Sequence, residues 1–236
     1  MPKLLNVLAE QPVYTGSDVW HWPMNEGTGT TAAETINSLD VTITDASWGT
    51  NDSVNGMQDA LGFNGSSTSC LKTSGGIGMG TGSFSTAFWI YNSVTSDSVA
   101  YDSRGGAGPT GIQIFIDYHV TNDEGILFRC WDIDGVMIIW TYVGVLPEDT
   151  WTHVAWTLNR TTTNTPGILY INGQYSSTLN HDTTGFKTLT PSSSGVVFGY
   201  DGSTMYLNGK LCDFWLFRNK VLTASEVLGL YKYLGD

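Results

Sequence analysis

Carboxylates, aromatic rings and a few histidines are the side chains in this 236-residue chain that could do chemistry. Glycoside hydrolysis needs two carboxyl groups flanking the scissile bond. The six glutamates stand at positions 10, 26, 34, 124, 148 and 226, and none forms a Glu-x-Asp-x-Glu pattern. Asp132 and Asp134 are an i, i+2 pair, but they run into a turn at Gly135. Catalysis of this kind is therefore not expected. His21, His119, His153 and His181 show no zinc spacing with one another or with the cysteines. There is no Gly-x-Ser-x-Gly nucleophile elbow. The glycine-rich run from Gly75 to Gly82 lacks the Lys-Ser/Thr of a phosphate loop and reads as a flexible connection.

Binding chemistry is what remains. A sugar ring has an apolar C–H face and a hydroxyl rim, so aromatic rings flanked by polar groups hold it. Of the nine tryptophans, Trp89, Trp151, Trp156 and Trp215 fall in strongly apolar strands and read as core. Tyr118, Trp131, Trp140 and Tyr142 lie near acidic turns in the segment 111 to 142 and are the carbohydrate-binding candidates. The competing reading puts these rings in the core as well. Asp213 alternates with Leu211 and Trp215, so its carboxylate should point with apolar neighbours and needs a partner.

Strands must position these groups. Period-2 patterns predict strands at 84 to 91, 111 to 119, 125 to 131, 135 to 142, 151 to 158, 167 to 172 and 206 to 217. Turn residues at Asn122-Asp123-Glu124-Gly125 and Asp132-Ile133-Asp134-Gly135 make 111 to 142 three antiparallel strands. One helix is predicted near the C-terminus. Thr223 and Glu226 form a capping box, and Val227, Leu230, Tyr231 and Leu234 give one apolar face, expected to pack over an edge of the sandwich. The fold class is all-β, an antiparallel jelly-roll β-sandwich with a short C-terminal helix.

The run from Leu207 to Phe217, followed by the helix after Leu222, resembles the C-terminal signature of laminin-G-like domains in the concanavalin A-like lectin/glucanase superfamily. Further pieces agree in chain order: Trp20-His21-Trp22-Pro23-Met24-Asn25-Glu26-Gly27, Asp59-Ala60-Leu61-Gly62-Phe63-Asn64-Gly65, Thr150-Trp151-Thr152-His153-Val154-Ala155, Leu169-Tyr170-Ile171-Asn172-Gly173 and Val197-Phe198-Gly199. The resemblance runs from residue 18 to residue 232 and implies a domain that binds and does not catalyse. It also implies a metal, Ca2+, between the opening loop and an acid on the closing strand. Matched by position, the ligands are Glu26 and Asp213, with oxygens from Asn25 and the loop Asn37 to Asp40.

Composition limits the partners. Net charge is −12, from 22 acidic and 10 basic residues, which argues against nucleic acid and anionic membrane surfaces, both of which need clustered Lys and Arg. Twenty-eight glycines, 12% aromatic and 14% charged residues fit many short strands joined by tight turns. No Pro/Gly/Ser linker divides the chain, so one domain is expected over 18 to 236, preceded by an extension or arm at 1 to 17. Residues 1 to 10 lack the apolar run of a signal peptide, and no segment has the apolar length of a membrane span. Three scattered cysteines, Cys70, Cys130 and Cys212, read as buried free thiols. A phage protein made in the host cytoplasm and displayed on the virion surface meets these conditions; a secreted, stand-alone carbohydrate-binding module is the alternative. The partners expected are a glycan or host cell-surface ligand, other virion proteins or a second copy of the chain.

Overall fold

Alternating apolar and polar residues fold into strands whose apolar faces must be buried, and here two antiparallel sheets bury them against each other. The structure, a computed structural model, describes residues 14–54, 57–93, 97–104, 110–117, 125–162, 164–189 and 195–232, without the side chains of 50–58. In chain order the strands are β1 (Val19–Trp22), β2 (Thr31–Ala32), β3 (Val41–Thr44), β4 (Ser47–Val54), β5 (Met57–Asn64), β6 (Cys70–Thr73), β7 (Phe84–Asn92), β8 (Ser98–Asp102), β9 (Gly111–Ile116), β10 (Ile126–Trp131), β11 (Met137–Tyr142), β12 (Trp151–Leu158), β13 (Asn164–Ile171), β14 (Gln174–Asp182), β15 (Val197–Phe198) and β16 (Asn208–Arg218). The helix α1 (Ala224–Tyr231) follows. The first sheet has the order β14-β13-β12-β7-β16-β5-β4, with β1 also on β16; the second has the order β11-β10-β9-β8-β15-β6-β3-β2. This is the expected jelly-roll sandwich. The meander over 111 to 142 is β9-β10-β11, with Ile126 in register with both Ile116 and Tyr142.

Period-2 alternation sorts the second sheet into two faces. Ile112, Ile114 and Ile116 of β9 and Phe128 and Cys130 of β10 join the main core, whereas Phe115 and Leu127 form a separate apolar cluster on the outer face. All three cysteines are free, with Cys130 and Cys212 buried.

β16 breaks its alternation at a bulge. Cys212 pairs with Trp89 but Trp215 pairs with Ala87, so one extra residue is inserted. Asp213 takes φ +51° there. Leu211, before the bulge, faces the main core, and Trp215, after it, faces outward under the helix. The expectation that Asp213 shares a face with both Leu211 and Trp215 is thus corrected, because the inserted residue reverses the parity of the strand.

α1 begins as its sequence requires. Thr223 accepts from the Glu226 amide at 3.3 Å, and Glu226 accepts from the Thr223 amide at 2.8 Å. Val227 and Leu230 bury against Ala87, Ala155, Trp215 and Phe217, residues of the central strands β7, β12 and β16. The helix therefore lies over the middle of the outer face, where two alanines on β7 and β12 leave room for it, and also reaches the edge strand β14. Thr223→Ala is expected to cost about 0.5–2 kcal/mol, read as a lowered denaturation midpoint.

Two connections are tighter than their composition suggests. The glycine-rich run expected to be flexible has Ile77 and Met79 buried, and Arg218 and Arg160 donate to the carbonyls of Gly78 and Gly80 at 2.9 and 3.1 Å. The N-terminal extension joins the sandwich at its end: the Tyr14 ring packs edge-on against Trp215 and Phe217, at 5.7 and 4.8 Å between centroids. Residues 1–13 lie outside the described residues.

Candidate functional site

The acids proposed for calcium are held by different partners. Glu26, exposed at the opening loop, accepts from the Ala33 amide at 2.7 Å. Asp213 is buried, and its Oδ1 accepts from His21 Nε2 and Trp215 Nε1, each at 2.8 Å. Its Oδ2 is buried without a hydrogen-bond partner. His21 stacks on Trp215 with ring centroids 3.6 Å apart, and its Nδ1 lies 3.1 Å from Thr35 Oγ1. The loop between Asn37 and Asp40 spends its oxygens and amides on the fold: Asn37 Nδ2 donates to Gly16 and Val19 carbonyls, and Asp40 accepts from the Glu34 amide.

Glu34 organises this loop and was not singled out by the sequence. Its buried carboxylate accepts backbone amides from His21 (2.9 Å), Ile36 (3.0 Å), Asn37 and Leu39 (3.4 Å). A lone glutamate in a polar segment carries no local signal of that role, since its donors are set by how the loop wraps. Among the described residues no group of three or more His, Cys, Asp and Glu could hold a metal.

Asp132 and Asp134 also have structural partners. Asp132 is fully buried; its Oδ1 accepts the Asp134 and Val136 amides and its Oδ2 the Lys187 amide, so it builds the β10–β11 turn. Asp134 pairs with Lys187 at the surface.

The three described aromatic candidates do not share a face. Tyr118 lies outside the described residues. Trp140 is fully buried between the sheets, edge-on to Trp156 at 5.3 Å. Tyr142 is buried too, donating from its hydroxyl to the Gly167 carbonyl at 2.7 Å and accepting from Trp156 Nε1 at 3.1 Å. Both are core side chains and offer no ring face to a sugar. The reason is parity: they sit at even positions of β11, the side that faces the first sheet. Trp131, at an odd position of β10, is partly exposed on the outer face.

That outer face carries a polar row that the sequence reading missed. Asp102 of β8 is opposite Gln113 of β9, which is opposite Arg129 of β10. Gln113 Nε2 donates to Asp102 Oδ2 at 3.0 Å, and Arg129 Nη1 donates to Gln113 Oε1 at 3.4 Å. Arg104 grips Asp102 with Nε at 3.2 Å and Nη2 at 3.0 Å. Arg129 also lies over the Phe115 ring, 4.6 Å from its centroid. Burial pushes the Asp102 carboxyl above the usual range, against the opposing pull of Arg104. A side chain at Gly111 would meet Ser103 Oγ at 2.6 Å and Arg104 Cγ at 3.1 Å, so glycine here admits the Arg104 turn beside Trp131, its register partner on β10.

The result is a mostly buried patch of Arg104, Arg129 and Trp131, each with part of its side chain at the surface, on a buried support of Asp102, Gln113 and Phe115. The supports fix two long cationic side chains before any ligand arrives, which lowers the ordering entropy of binding. Arginine forks supply several donors in a plane, and an indole supplies an apolar face.

Solved structures with the same fold are distant in sequence. The binding domain of Paraclostridial Mosquitocidal Protein 1 matches with TM-score 0.66 and 14% identity, over 90% of this chain and 51% of that one. The botulinum neurotoxin serotype G binding domain matches with TM-score 0.66 and 14% identity, over 90% and 50%. The chain thus spans half the length of these toxin domains. Domain 4 of AbnA, an extracellular arabinanase of Geobacillus stearothermophilus solved with arabinotriose, matches with TM-score 0.60 and 15% identity, over 90% of this chain and 97% of that domain. No curated protein matches the chain. The laminin G profile described as the concanavalin A-like lectin/glucanases superfamily matches residues 64–228, and with the two-sheet architecture this establishes that the chain belongs to that superfamily.

Proposed function

We propose that this protein is a non-catalytic glycan-binding module whose contact face is the outer surface of the second sheet, at Trp131, Arg129 and Arg104. The observation that carries the reading is the preorganised pair of guanidinium groups beside a partly exposed indole. Arg129 and Trp131, two residues apart on one strand, lie about 7 Å apart on the same face, a spacing suited to one sugar unit. The fold shared with a domain solved with arabinotriose supports the reading, as does the fold shared with toxin binding domains. The i, i+2 carboxylates Asp132 and Asp134 are committed to a turn and an ion pair, which favours binding over catalysis.

A glycan array followed by calorimetry on the best-bound oligosaccharide tests this. Trp131→Ala and Arg129→Ala are each expected to weaken binding at least about tenfold, equivalent to 1.4 kcal/mol, measured at a temperature where each variant is fully folded. A wild-type protein that binds no glycan, or variants that bind as well as wild type, would remove the reading.

A second proposal keeps calcium at Asp213, favoured by its buried and unpartnered Oδ2. Binding to the native state alone raises stability by mass action. Millimolar calcium should then raise the melting temperature over chelator, and Asp213→Asn should abolish that rise; equal transitions for the wild-type protein would sink the proposal.

A further inference from the structure

An ionisable side chain holds each end of α1, and one of the two must stay neutral while the other stays charged. At the C-terminal end Tyr231 closes over His153 of β12, with ring centroids 5.7 Å apart, and stacks on Trp89 of β7 at 5.5 Å. Trp89 and His153 are direct register partners, their rings edge-on at 5.2 Å. His153 is 1% exposed, and the buried nitrogens His153 Nδ1 and Trp89 Nε1 have no hydrogen-bond partner. The strand beneath is fixed: the His153 amide donates to Asn172 Oδ1 at 3.0 Å, and the Asn172 amide donates to the His153 carbonyl at 2.8 Å. A Cβ at Gly173 would lie 2.8 Å from the Tyr231 ring, so that ring is seated directly on the glycine.

A charged imidazole has no counter-charge in this place. The groups facing His153 are Tyr231 from α1, Trp89 from β7 and Asn172 from the β13–β14 turn, all of them uncharged. Cys212 of β16 lies on the far side of Trp89, in register with it, and Lys232, which caps the helix, is exposed. Burial pushes the imidazole from its ordinary 6.5 down to about 3.

Glu226, at the N-terminal end, needs the opposite state. Its Oε2 accepts from the Thr223 amide at 2.8 Å and the Thr223 hydroxyl at 3.0 Å, and its Oε1 accepts from the Lys220 ammonium at 2.6 Å. Burial opposes ionisation, but Lys220 and Thr223 together hold the carboxyl below its usual range. The other titratable group here is Tyr14, 5.8 Å from ring centroid to the Lys220 ammonium, and its hydroxyl stays neutral, pushed up to about 12 by burial and by Glu226. Both helix ends respond to acid with the same sign. Opening hydrates His153, which then takes a proton at its ordinary value, so docking weakens by about tenfold for each pH unit from 6.5 down to about 3. Glu226 stabilises docking above the usual carboxylate range, and that contribution is lost as pH falls through its own lowered value.

We propose that α1 is an acid-released cover, which lifts from the first sheet in mildly acidic solution and exposes Ala87, Ala155, Trp215 and Phe217 while the sandwich stays folded. The apolar cluster beneath the helix is separate from the main core between the sheets, so uncovering one does not open the other. Val227 and Leu230 are the buried residues of the helix, so docking rests on a small apolar contact. A loss of about a hundredfold over two pH units is of the same order as that contact. Histidine sets the onset, because its ordinary value lies closer to neutrality than that of any carboxylate. A bared apolar face of this kind is a contact surface, so acidity would govern association through it. The inference is independent of the glycan reading, whose residues Trp131, Arg129 and Arg104 belong to the second sheet and its β8–β9 connection.

Emission of the dye ANS and far-UV circular dichroism, followed together on the full chain from about pH 8 to about pH 4, test this. In the wild-type protein the dye emission should rise below the ordinary histidine range while the β-sheet signal holds. His153→Phe places an uncharged ring between Trp89 and Tyr231 and should move the midpoint of that rise down by at least about one pH unit. Glu226→Gln keeps a capping side chain that does not titrate, and combined with His153→Phe it should lower the midpoint further. Dichroism at about pH 8 checks that each variant folds, and His153→Leu replaces the phenylalanine variant if that one does not. The proposal is overturned by a wild-type protein that gains no dye emission, by a rise that coincides with loss of the β-sheet signal, or by a midpoint that the folded His153 variant leaves unchanged. A double variant no more acid-resistant than the single one would overturn it as well.

Discussion

Trp156→Ala should lower the unfolding free energy by about 3–5 kcal/mol. The indole is fully buried and reaches from β12 of the first sheet into the second. It stacks on Phe128 with centroids 4.4 Å apart and an interplanar angle of 7°, and meets Phe84 and Trp140 edge-on at 5.6 and 5.3 Å. Its Nε1 donates to the Tyr142 hydroxyl, which donates in turn to the Gly167 carbonyl. Truncation opens a cavity between the sheets and strips three aromatic partners of contact at once. A Cβ at Gly167 would lie 2.7 Å from Trp140 Cδ1 and 3.0 Å from Trp156 Nε1, so the surrounding strand is already closed on these rings and cannot collapse far into the void. Urea denaturation reads the loss as a lower midpoint with an unchanged slope; a midpoint that hardly moves would show that the two sheets do not depend on this contact.

Asp213→Ala should cost about 2–6 kcal/mol, from 1–3 kcal/mol for each of the two buried donors it strands. His21 Nε2 and Trp215 Nε1 both lose their acceptor, and alanine must take up φ +51°, which aspartate and asparagine tolerate better. Asp213→Asn, with an acceptor oxygen in the same place, should recover most of the stability. If the alanine and asparagine variants melt together, the hydrogen bonds are not what holds β1 to β16, and the bulge geometry alone would have to account for the site.

How much of this could be read from residue order depends on the range of the interaction. β7, β12 and β16 were legible because their apolar runs are long. β9 to β11 were legible because turn residues mark the 125 and 132 to 135 boundaries. β14, the sequence Gln-Tyr-Ser-Ser-Thr-Leu-Asn-His-Asp, was not predicted, because an edge strand with little buried surface shows no apolar alternation. β2, β3, β6, β8 and β15 are short, and their apolar content is too small to stand out locally.

The site was less legible than the fold. A half-apolar strand shows that its residues alternate, but not which parity faces the other sheet. So Trp131 and Trp140 looked equivalent in sequence, while one reaches the surface and the other fills the core. Arg104, Gln113 and Asp102 were not singled out, since a polar row across three strands exists only once register aligns them. Asp213 was recognised as an acid that needs a partner, yet its partner, His21, is 192 residues away.

Local physics therefore determined the β-sandwich class, the main strands and the capped helix, because periodicity and turn chemistry act within a few residues. Tertiary structure alone decided which face of each strand is buried, where β16 bulges and which charged and aromatic groups converge on the outer sheet. Those outcomes rest on strand register and sheet stacking, and such contacts join residues that carry no mark of one another in the chain.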